Sequence, residues 1–434
     1  MRYLTANASA ALLLLGVFFF LVAIGVQIAY SVLFASTVTA IYVGIPAATV
    51  VQNLVKGINI YSLMAVPFFI LAGEIMMQGG ITDRLIRLSQ ALVGWVCGSL
   101  AQINIVACLF FGAISGSSAA GTSAIGSMMI PHMKKAGYDV DFATSVTMSS
   151  SVECMLIPPS HNMVLFALAA GNVSIARLFL GGIVPGFVLA AVLGAYCYYV
   201  AKKRNYPTGE KFRLQSALQC LKESLPGLAA VLIVVVGVIG GIFTATEAAA
   251  VAVLYSLIVG IFIYKEIKFR DLFGIFARAL RTMSIVLILT GSSACFSWFV
   301  AYLNVPAYVS DFLLGISRSR IVILLLMNVL LIFCGMIMDM AALILIMTPI
   351  LLPIALKLGM EPVQFCQVLI INLGMGLITP PVGGTLFIGS AISGVRVEKL
   401  IRAMAPFYVM MIIALLLVTF IPTLSLGLPN LLMK

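Results

Sequence analysis

LIPPSHN at residues 156–162 and ITPPVGG at residues 378–384 place pairs of consecutive prolines in hydrophobic sequence, 222 residues apart. Proline lacks an N–H and clashes with the preceding helical turn, so each pair predicts a broken helix. The surroundings repeat as well, because Gly112 lies 46 residues before Pro158 and Gly335 lies 45 residues before Pro380. The chain is therefore predicted to hold one unit twice. Matching breaks in two halves are typical of the binding region of secondary transporters.

The composition indicates a membrane protein. The 434 residues are 62% hydrophobic and 9% charged, and the mean hydropathy is +1.18. Soluble domains carry about 25% charged residues, and apolar runs of about 18 or more residues indicate membrane spans. We expect an all-α polytopic fold with about eleven spans and two re-entrant helical hairpins. The apolar N-terminal run is predicted to be the first span rather than a cleaved signal peptide.

The charge pattern indicates membrane orientation. The net charge is +11, but the basic residues cluster in short loops, as Lys and Arg do on the cytoplasmic side of a membrane. No nucleic-acid partner is expected. The eight cysteines form no CxxC pair and are predicted to be reduced packing residues. Two histidines are too few for a multi-His metal site, and no GxxxxGK[ST] loop for ATP occurs.

The only long polar stretch, residues 202–222, divides the chain near its middle. We interpret it as a cytoplasmic linker between a first repeat (residues 1–201) and a second repeat (residues 223–434). The predicted hairpins span about residues 112–131 and 335–353, and the predicted breaks fall at residues 158–159 and 380–381. The turn at Lys134 is more basic than its counterpart at Lys357, which favours inverted repeats. Residues 265–281 are predicted to form an amphipathic helix at the cytoplasmic interface.

The breaks are rich in groups that suit a small cation. Ser115 to Ser123 include several Ser, Gly and Thr residues, and non-helical backbone at membrane depth frees carbonyl oxygens that can bind Na⁺. Small residues could instead serve close helix packing. A helix that restarts at Ser160 or Gly383 would point its positive end at an anion.

Acidic residues within apolar sequence are few, and each is a functional hypothesis by default because a charge there is costly. They are Glu74, Glu153, Glu247 and Asp339. Asp339 is the sharpest candidate because it lies where the second Gly-led segment begins. Glu153 precedes the first proline pair by about one turn and is left open. Glu74 and Glu247 are interpreted as helix-end or packing partners.

Several stretches resemble the large membrane subunit of tripartite ATP-independent periplasmic (TRAP) transporters. They are VPFFILAGEIMMQGG (66–80), FFGAISGSSAAGTSAIGSMMIPHMKKAGYD (110–139), LIPPSHNMV (156–164), GIFTATEAAAVAV (241–253) and NLGMGLITPPVGGTLF (372–387). The resemblance implies two inverted repeats, an elevator-type moving domain like that of the ion transporter superfamily, and a multi-pass location in the bacterial inner membrane. It also implies Na⁺-driven import of organic acids such as sialic acid or C4-dicarboxylates.

The resemblance further implies partners and site residues. The expected partners are a soluble periplasmic substrate-binding protein, a small membrane (Q) subunit as a separate chain, and membrane lipids. No cofactor is expected, and Na⁺ would be the coupling ion. Na⁺ ligands are expected among Ser115, Gly116, Ser117, Ser118, Pro158, Asp339, Met340, Thr379, Pro380 and Gly383. Substrate contacts are expected at Ser118, Ser160, Asn162, Gly384 and Thr385. Residues 149–156, SSSVECML, depart from the Gly-rich approach of many members.

Two other functions compete with Na⁺ symport. A proton-coupled or uncoupled carboxylate transporter of related fold is the nearer alternative. An intramembrane serine hydrolase, with Ser115 or Ser117 and His161, has the right residue types. A hydrolase would not need the second broken helix, so we expect no enzyme.

Overall fold

The computed structural model describes residues 2–171, 173–209, 212–317, 319–380 and 383–433. Helix accounts for 84% of the structure, and the described residues contain no β-strand. Within these residues, eight helical stretches are long and apolar enough to cross a membrane, and further apolar helices are 10–17 residues long. The predicted all-α membrane fold is confirmed, while the count of about eleven crossings stays a prediction.

In the described part of the chain, ten α-helices begin before the polar linker. They are α1 (Arg2–Ala23), α2 (Ile28–Val43), α3 (Ala47–Ile58), α4 (Ala65–Gln78), α5 (Ile81–Val93), α6 (Ser99–Ser115), α7 (Ser118–Lys135), α8 (Val140–Ser150), α9 (His161–Ala170) and α10 (Ile175–Arg204). A 3₁₀ turn at Ser151–Met155 continues α8 toward the first proline pair.

Ten more helices follow. They are α11 (Leu214–Ile239), α12 (Ala245–Ile258), α13 (Leu272–Tyr302), α14 (Val305–Ile316), α15 (Arg320–Ile337), α16 (Met340–Lys357), α17 (Pro362–Leu377), α18 (Gly384–Ser393), α19 (Val397–Phe420) and α20 (Thr423–Leu432). A π-helical stretch, Val259–Ile263, extends α12, and a 3₁₀ turn, Phe269–Asp271, precedes α13.

One order of helices occurs twice, and we call α6–α10 the first series and α15–α19 the second. Each begins with two helices of 17 or 18 residues, α6 and α7 or α15 and α16, which contact each other as a hairpin. An interrupted pair follows: α8 with its 3₁₀ turn and then α9, or α17 and then α18. Both α9 and α18 have 10 residues. A long helix closes each series, α10 with 30 residues and α19 with 24.

Helices of each series pack against helices of the other series. Helix α9 of the first series contacts α16 of the second, and α18 of the second contacts α7 and α8 of the first. Helix α17 also contacts the 3₁₀ turn that follows α8. Both hairpins and both interrupted helices therefore form one packed body.

The predicted amphipathic helix over residues 265–281 is wrong in its bounds. Residues 272–281 are the first turns of α13, which is 31 residues long and ends at Tyr302. A helix of that length spans about 46 Å, longer than the apolar core of about 30 Å. The basic first turns can therefore lie at the interface while the same helix crosses the membrane. The predicted linker is likewise partly helical, because α10 runs to Arg204 and α11 begins at Leu214.

Candidate functional site

The tip of hairpin 1, the α6–α7 pair, is a two-residue connection. Gly116 has φ +61°, in the left-handed region that glycine adopts at least cost. Ser117 is the N-cap of α7, and its Oγ accepts a hydrogen bond from Ala120 N at 3.4 Å. The side chain of Ser115 lies beside it, because Ser117 N donates to Ser115 Oγ at 3.4 Å. Two hydroxyls therefore flank the backbone bend.

The first break packs directly on this tip. Asn162 Nδ2 donates to the carbonyl oxygen of Gly116 at 3.0 Å, and Ser118 Oγ is hydrogen bonded to Ser151 Oγ at 2.6 Å. Pro158 and Ser160 are buried, and Ser160 Oγ has no hydrogen-bond partner among the described residues. The structure thus brings the predicted tip residues together with Asn162 and Ser160 of the first break, since a Cβ on Gly116 would lie 3.3 Å from Ser160 Cα.

The tip of hairpin 2, the α15–α16 pair, uses an acid in the equivalent place. Asp339 lies 222 residues after Ser117 and is the N-cap of α16. Its Oδ2 accepts a hydrogen bond from Ala341 N at 3.1 Å. Asp339 is exposed, whereas the next residue, Met340, is buried. A carboxylate at a helix N-terminus is favoured by the helix dipole.

Two hydrogen bonds to backbone carbonyl oxygens stabilise the segment before the second break. Thr379 Oγ1 donates to the carbonyl oxygen of Met375 at 2.6 Å, and the hydroxyl of Tyr408, on α19, donates to the carbonyl oxygen of Ile378 at 2.6 Å. Pro380 is half-buried at the end of this segment. Its neighbours Pro381 and Val382 lie outside the described residues, so the second proline of the predicted pair is not placed.

Helix α18 begins directly after the second break. Gly383 is its N-cap, and Gly384, at its first position, is exposed. Thr385 is 1% exposed, and its hydroxyl has no hydrogen-bond partner among the described residues. Two predicted substrate residues, Ser160 and Thr385, thus offer unused hydroxyls near the N-termini of α9 and α18. Among the described residues, no hydrogen bond or ion pair joins one break to the other, and the two breaks are linked through helix packing instead.

The other intramembrane acids have separate roles. Glu247 Oε2 accepts a hydrogen bond from Thr244 N at 2.8 Å in a capping box that starts α12, and Glu74 Oε2 lies 3.4 Å from Arg278 Nε. Both agree with their interpretation as helix-end or packing partners. Glu153 is fully buried, and neither of its carboxylate oxygens has a hydrogen-bond partner among the described residues.

Two contacts at the breaks were missed by the sequence reasoning. Ser151 is hydrogen bonded to Ser118, and the sequence signal for this contact is the serine run at residues 149–151. Tyr408 reaches Ile378 from 30 residues away, and no local pattern indicates that contact.

The described residues do not form the Ser–His pair that the hydrolase alternative requires. The imidazole of His161 is near the hairpin tip, since a Cβ built on Gly116 would lie 3.1 Å from His161 Nδ1. However, Ser115 and Ser117 are bonded to backbone amides. Within the described residues, neither serine is hydrogen bonded to the imidazole.

Residues 15–424 match the family model of the tripartite ATP-independent periplasmic transporter, DctM component. The chain belongs to this family. DctM components are large permeases of transporters that also use a small permease and a substrate-binding protein. As a DctM component, the chain is an integral membrane permease, and the bacterial inner membrane is the usual location of the family.

Related proteins align with nearly the whole of this chain. YgiK of Salmonella typhimurium is 39% identical over 97% of each chain. The C4-dicarboxylate TRAP transporter large permease DctM of Rhodobacter capsulatus is 34% identical over 98% of this chain and 99% of that one. The isethionate TRAP transporter permease DctMQ of Oleidesulfovibrio alaskensis is 37% identical over 94% of this chain but only 65% of its own length.

A solved structure shows a similar fold. The YdaH transporter of Alcanivorax borkumensis superimposes with a TM-score of 0.60, covering 85% of this chain and 86% of that one. The two sequences are 15% identical, so the likeness concerns the fold alone. All these relatives with a stated function are named as transporters or permeases, in agreement with the expectation of a non-enzyme.

Proposed function

We propose that this DctM component is the membrane permease of a Na⁺-coupled importer of small organic acids. The observation that carries the proposal is the pair of hairpin tips, each with an oxygen-bearing N-cap beside a broken helix: Ser117 in the first series and Asp339 in the second. Hydroxyl, carboxylate and freed carbonyl oxygens are hard ligands that suit Na⁺.

Each tip would hold one Na⁺. The proposed ligands of the first site are Ser115, Gly116, Ser117, Ser118 and Pro158, and those of the second are Asp339, Met340, Thr379, Pro380 and Gly383. The second tip supplies a full negative charge, whereas the first supplies neutral oxygens only. We therefore expect the second site to bind Na⁺ more tightly.

The transported acid would lie between the two tips. The proposed contacts are Ser118, Ser160, Asn162, Gly384 and Thr385. The buried, unpartnered hydroxyls of Ser160 and Thr385 support this assignment, as do the positive N-termini of α9 and α18, which favour a carboxylate. Relatives are named for C4-dicarboxylates, isethionate and sialic acid, and all three are organic anions.

The driving force is sufficient for scavenging. One Na⁺ entering down ~100 mV contributes about 2.3 kcal/mol, and a tenfold concentration gradient adds about 1.4 kcal/mol per ion. Two Na⁺ with one monoanion carry one net charge, which gives roughly 5 kcal/mol. That energy supports accumulation on the order of several thousandfold.

We further propose partners and motion. A substrate-binding protein would deliver the acid, and a small Q subunit would pack beside this chain, as the name of the DctMQ relative suggests. The body formed by the two series would move as an elevator against α1–α5 and α11–α14. The two repeats would be inverted, which the basic turn at Lys134 favours.

The test is Na⁺-dependent stabilisation and uptake. Ligands that bind only the folded state raise the unfolding temperature of the purified chain. We expect NaCl to stabilise it more than KCl at equal ionic strength, and Asp339→Asn to weaken that difference more than Ser117→Ala. Glu398→Gln, on an exposed acid at the start of α19, is the matched control.

Uptake completes the test. Proteoliposomes with the chain and its small subunit would receive radiolabelled succinate or sialic acid with the cognate substrate-binding protein outside. Uptake that needs both Na⁺ and the binding protein supports the symporter. Uptake driven by a pH gradient without Na⁺ would favour the proton-coupled alternative and overturn the two Na⁺ sites.

A further inference from the structure

Glu153 is the most isolated acid of the membrane body. It lies in the 3₁₀ turn Ser151–Met155 between α8 and the first break, it is 0% exposed, and both carboxylate oxygens lack hydrogen-bond partners among the described residues. No Lys, Arg or His in the described part of the chain forms an ion pair with it. The equivalent residue of the second series, 222 positions later, is Met375, which is 2% exposed.

An ionised carboxylate cannot persist there alone. Burying an isolated charge is far more costly than burying a neutral polar group, so such a group binds a cation or takes up a proton. The second series shows that an uncharged side chain fills the same place. Glu153 therefore needs a positive partner that the described side chains do not supply.

The neighbouring groups favour a proton over a metal ion. The turn and the helices that contact it carry cysteines, including Cys154 beside Glu153, Cys108 on α6 and Cys197 on α10. Cys154 Sγ is itself 3.1 Å from the carbonyl oxygen of Cys108. Thiols are poor ligands for Na⁺, which prefers hard oxygens, and no group of three or more metal-binding side chains occurs in the described chain.

The other elements packed on the turn add no compensating charge nearby. The turn contacts α6, α7, α8, α10 and α17. The remaining ionisable groups of these helices lie near the helix ends. Asp141, at the start of α8, is paired with Lys399, and Cys366 is near the start of α17. The others are at the exposed end of α7 (His132, Lys134 and Lys135) and near the two ends of α10 (Arg177, Tyr196, Tyr198, Tyr199, Lys202, Lys203 and Arg204).

The same turn closes hairpin 1. Ser151 Oγ is 2.6 Å from Ser118 Oγ, and a Cβ on Gly112 would lie 2.5 Å from Cys154 Cα. These two contacts flank Glu153 in sequence on either side. Ionised Glu153 would have to reach water, and the turn that carries it is packed on both helices of hairpin 1.

We propose that Glu153 is a proton-binding site of this permease, neutral while hairpin 1 is packed on the first break, and that loss of its proton loosens that packing. This proton site is distinct from the two proposed Na⁺ sites and does not depend on them. It would make the closed hairpin sensitive to alkaline pH even when transport is driven by Na⁺.

Infrared difference spectroscopy of the purified chain on H₂O–D₂O exchange tests the protonation directly. We expect the carbonyl band of a neutral carboxylic acid in the unaltered chain and in Glu398→Gln, and its loss in Glu153→Gln. Glu153→Met, which copies the second series, serves if the Gln variant fails to fold. A band of equal intensity in the folded Gln or Met variant would overturn the proposal.

Thermal unfolding from about pH 6 to about pH 9, where buried Glu residues are known to titrate, tests the coupling to stability. Because the folded state would hold a proton that the unfolded state releases, stability should fall as pH rises. The fall should be smaller in Glu153→Gln than in Glu398→Gln, and identical slopes would contradict the proposal. Neither measurement uses uptake, so failure of Na⁺ symport and failure of the proton site are separately visible.

Discussion

Gly112 and Gly335 occupy matching places, where the first arm of each hairpin meets the segment before the break. A Cβ on Gly112 would lie 2.5 Å from Cys154 Cα, and one on Gly335 would lie 3.1 Å from Gly376 Cα. Hairpin and interrupted helix therefore touch backbone to backbone in both series. Small residues permit this approach between membrane helices.

We expect Gly112→Ala to destabilise the protein by about 1–3 kcal/mol, the usual cost of overpacking, because the obstructing atom is backbone and cannot rotate away. Gly16→Ala in α1 is the control, since its Cβ would meet no atom within 4 Å. Alanine has the higher helix propensity, so the control should be neutral or slightly stabilising. Thermal unfolding in detergent measures both, and equal effects would contradict the close approach.

At the scale of elements, a polar cluster ties the end of α10 to the turn between α7 and α8. Tyr206 donates to Asp139 Oδ2 at 2.8 Å, and Arg204 Nη1 lies 2.6 Å from the same oxygen. The ring of Tyr138 stacks on Tyr206 at 4.2 Å between centroids. Burial raises the pKa of Tyr138 to about 12. The neutral hydroxyl of Tyr138 therefore contributes fully to the stability of the folded protein below about pH 10. This contribution is lost as the pH rises through the raised pKa.

Tyr206→Phe keeps the ring but removes the hydrogen bond to Asp139. We expect a loss of about 0.5–1.5 kcal/mol of stability. Tyr199→Phe is the matched control, because Tyr199 is near the same helix end and is 61% exposed. The unfolding temperatures of the two variants should differ, and a Tyr206→Phe protein as stable as the control would show that the cluster contributes no stability.

At the scale of the whole molecule, α13 contacts the body formed by the two series. Ser297 Oγ, on α13, donates to the carbonyl oxygen of Leu345, on α16, at 3.3 Å. A cavity of about 210 Å³ adjoins this contact, lined by Gly57, Ile60, Leu168, Ala169, Thr290, Ser293, Ala294, Ser297 and Leu345. Such an incompletely filled boundary suits sliding better than a close-packed one does.

If that body moves, linking it to α13 must stop transport. We expect a bifunctional thiol reagent to abolish uptake by a Ser297→Cys, Leu345→Cys protein in a background without the eight native cysteines. An Asn328→Cys, Asn372→Cys pair is the control, since Asn372 Nδ2 and Asn328 Oδ1 are 2.9 Å apart inside the body. Undiminished uptake after complete linking of the first pair would exclude the proposed elevator.

The sequence predicted an interruption at Pro158, and no helix covers residues 156–160 in the structure, whereas its helix bounds were less accurate. Pro158, Ser117 and Asp339 act through the backbone around them, so their effect is visible locally. The end of the helix predicted over residues 265–281 was wrong because amphipathic spacing alone cannot show whether a helix continues into a following apolar span. Tyr408 could not be assigned to the second break, since its hydroxyl reaches Ile378 only after α19 has packed.

The sequence by itself determined that the chain is a helical membrane protein with two similarly interrupted halves, and it indicated the TRAP family. Hydropathy, proline and glycine act through the solvent and the adjacent backbone, which need no tertiary contact. Only the tertiary structure decided that α9 packs on α16 and α18 on α7, and that Ser151 holds Ser118. It alone showed that the Glu153 carboxylate has no hydrogen-bond partner among the described residues, because burial and pairing depend on which distant helices close around a side chain.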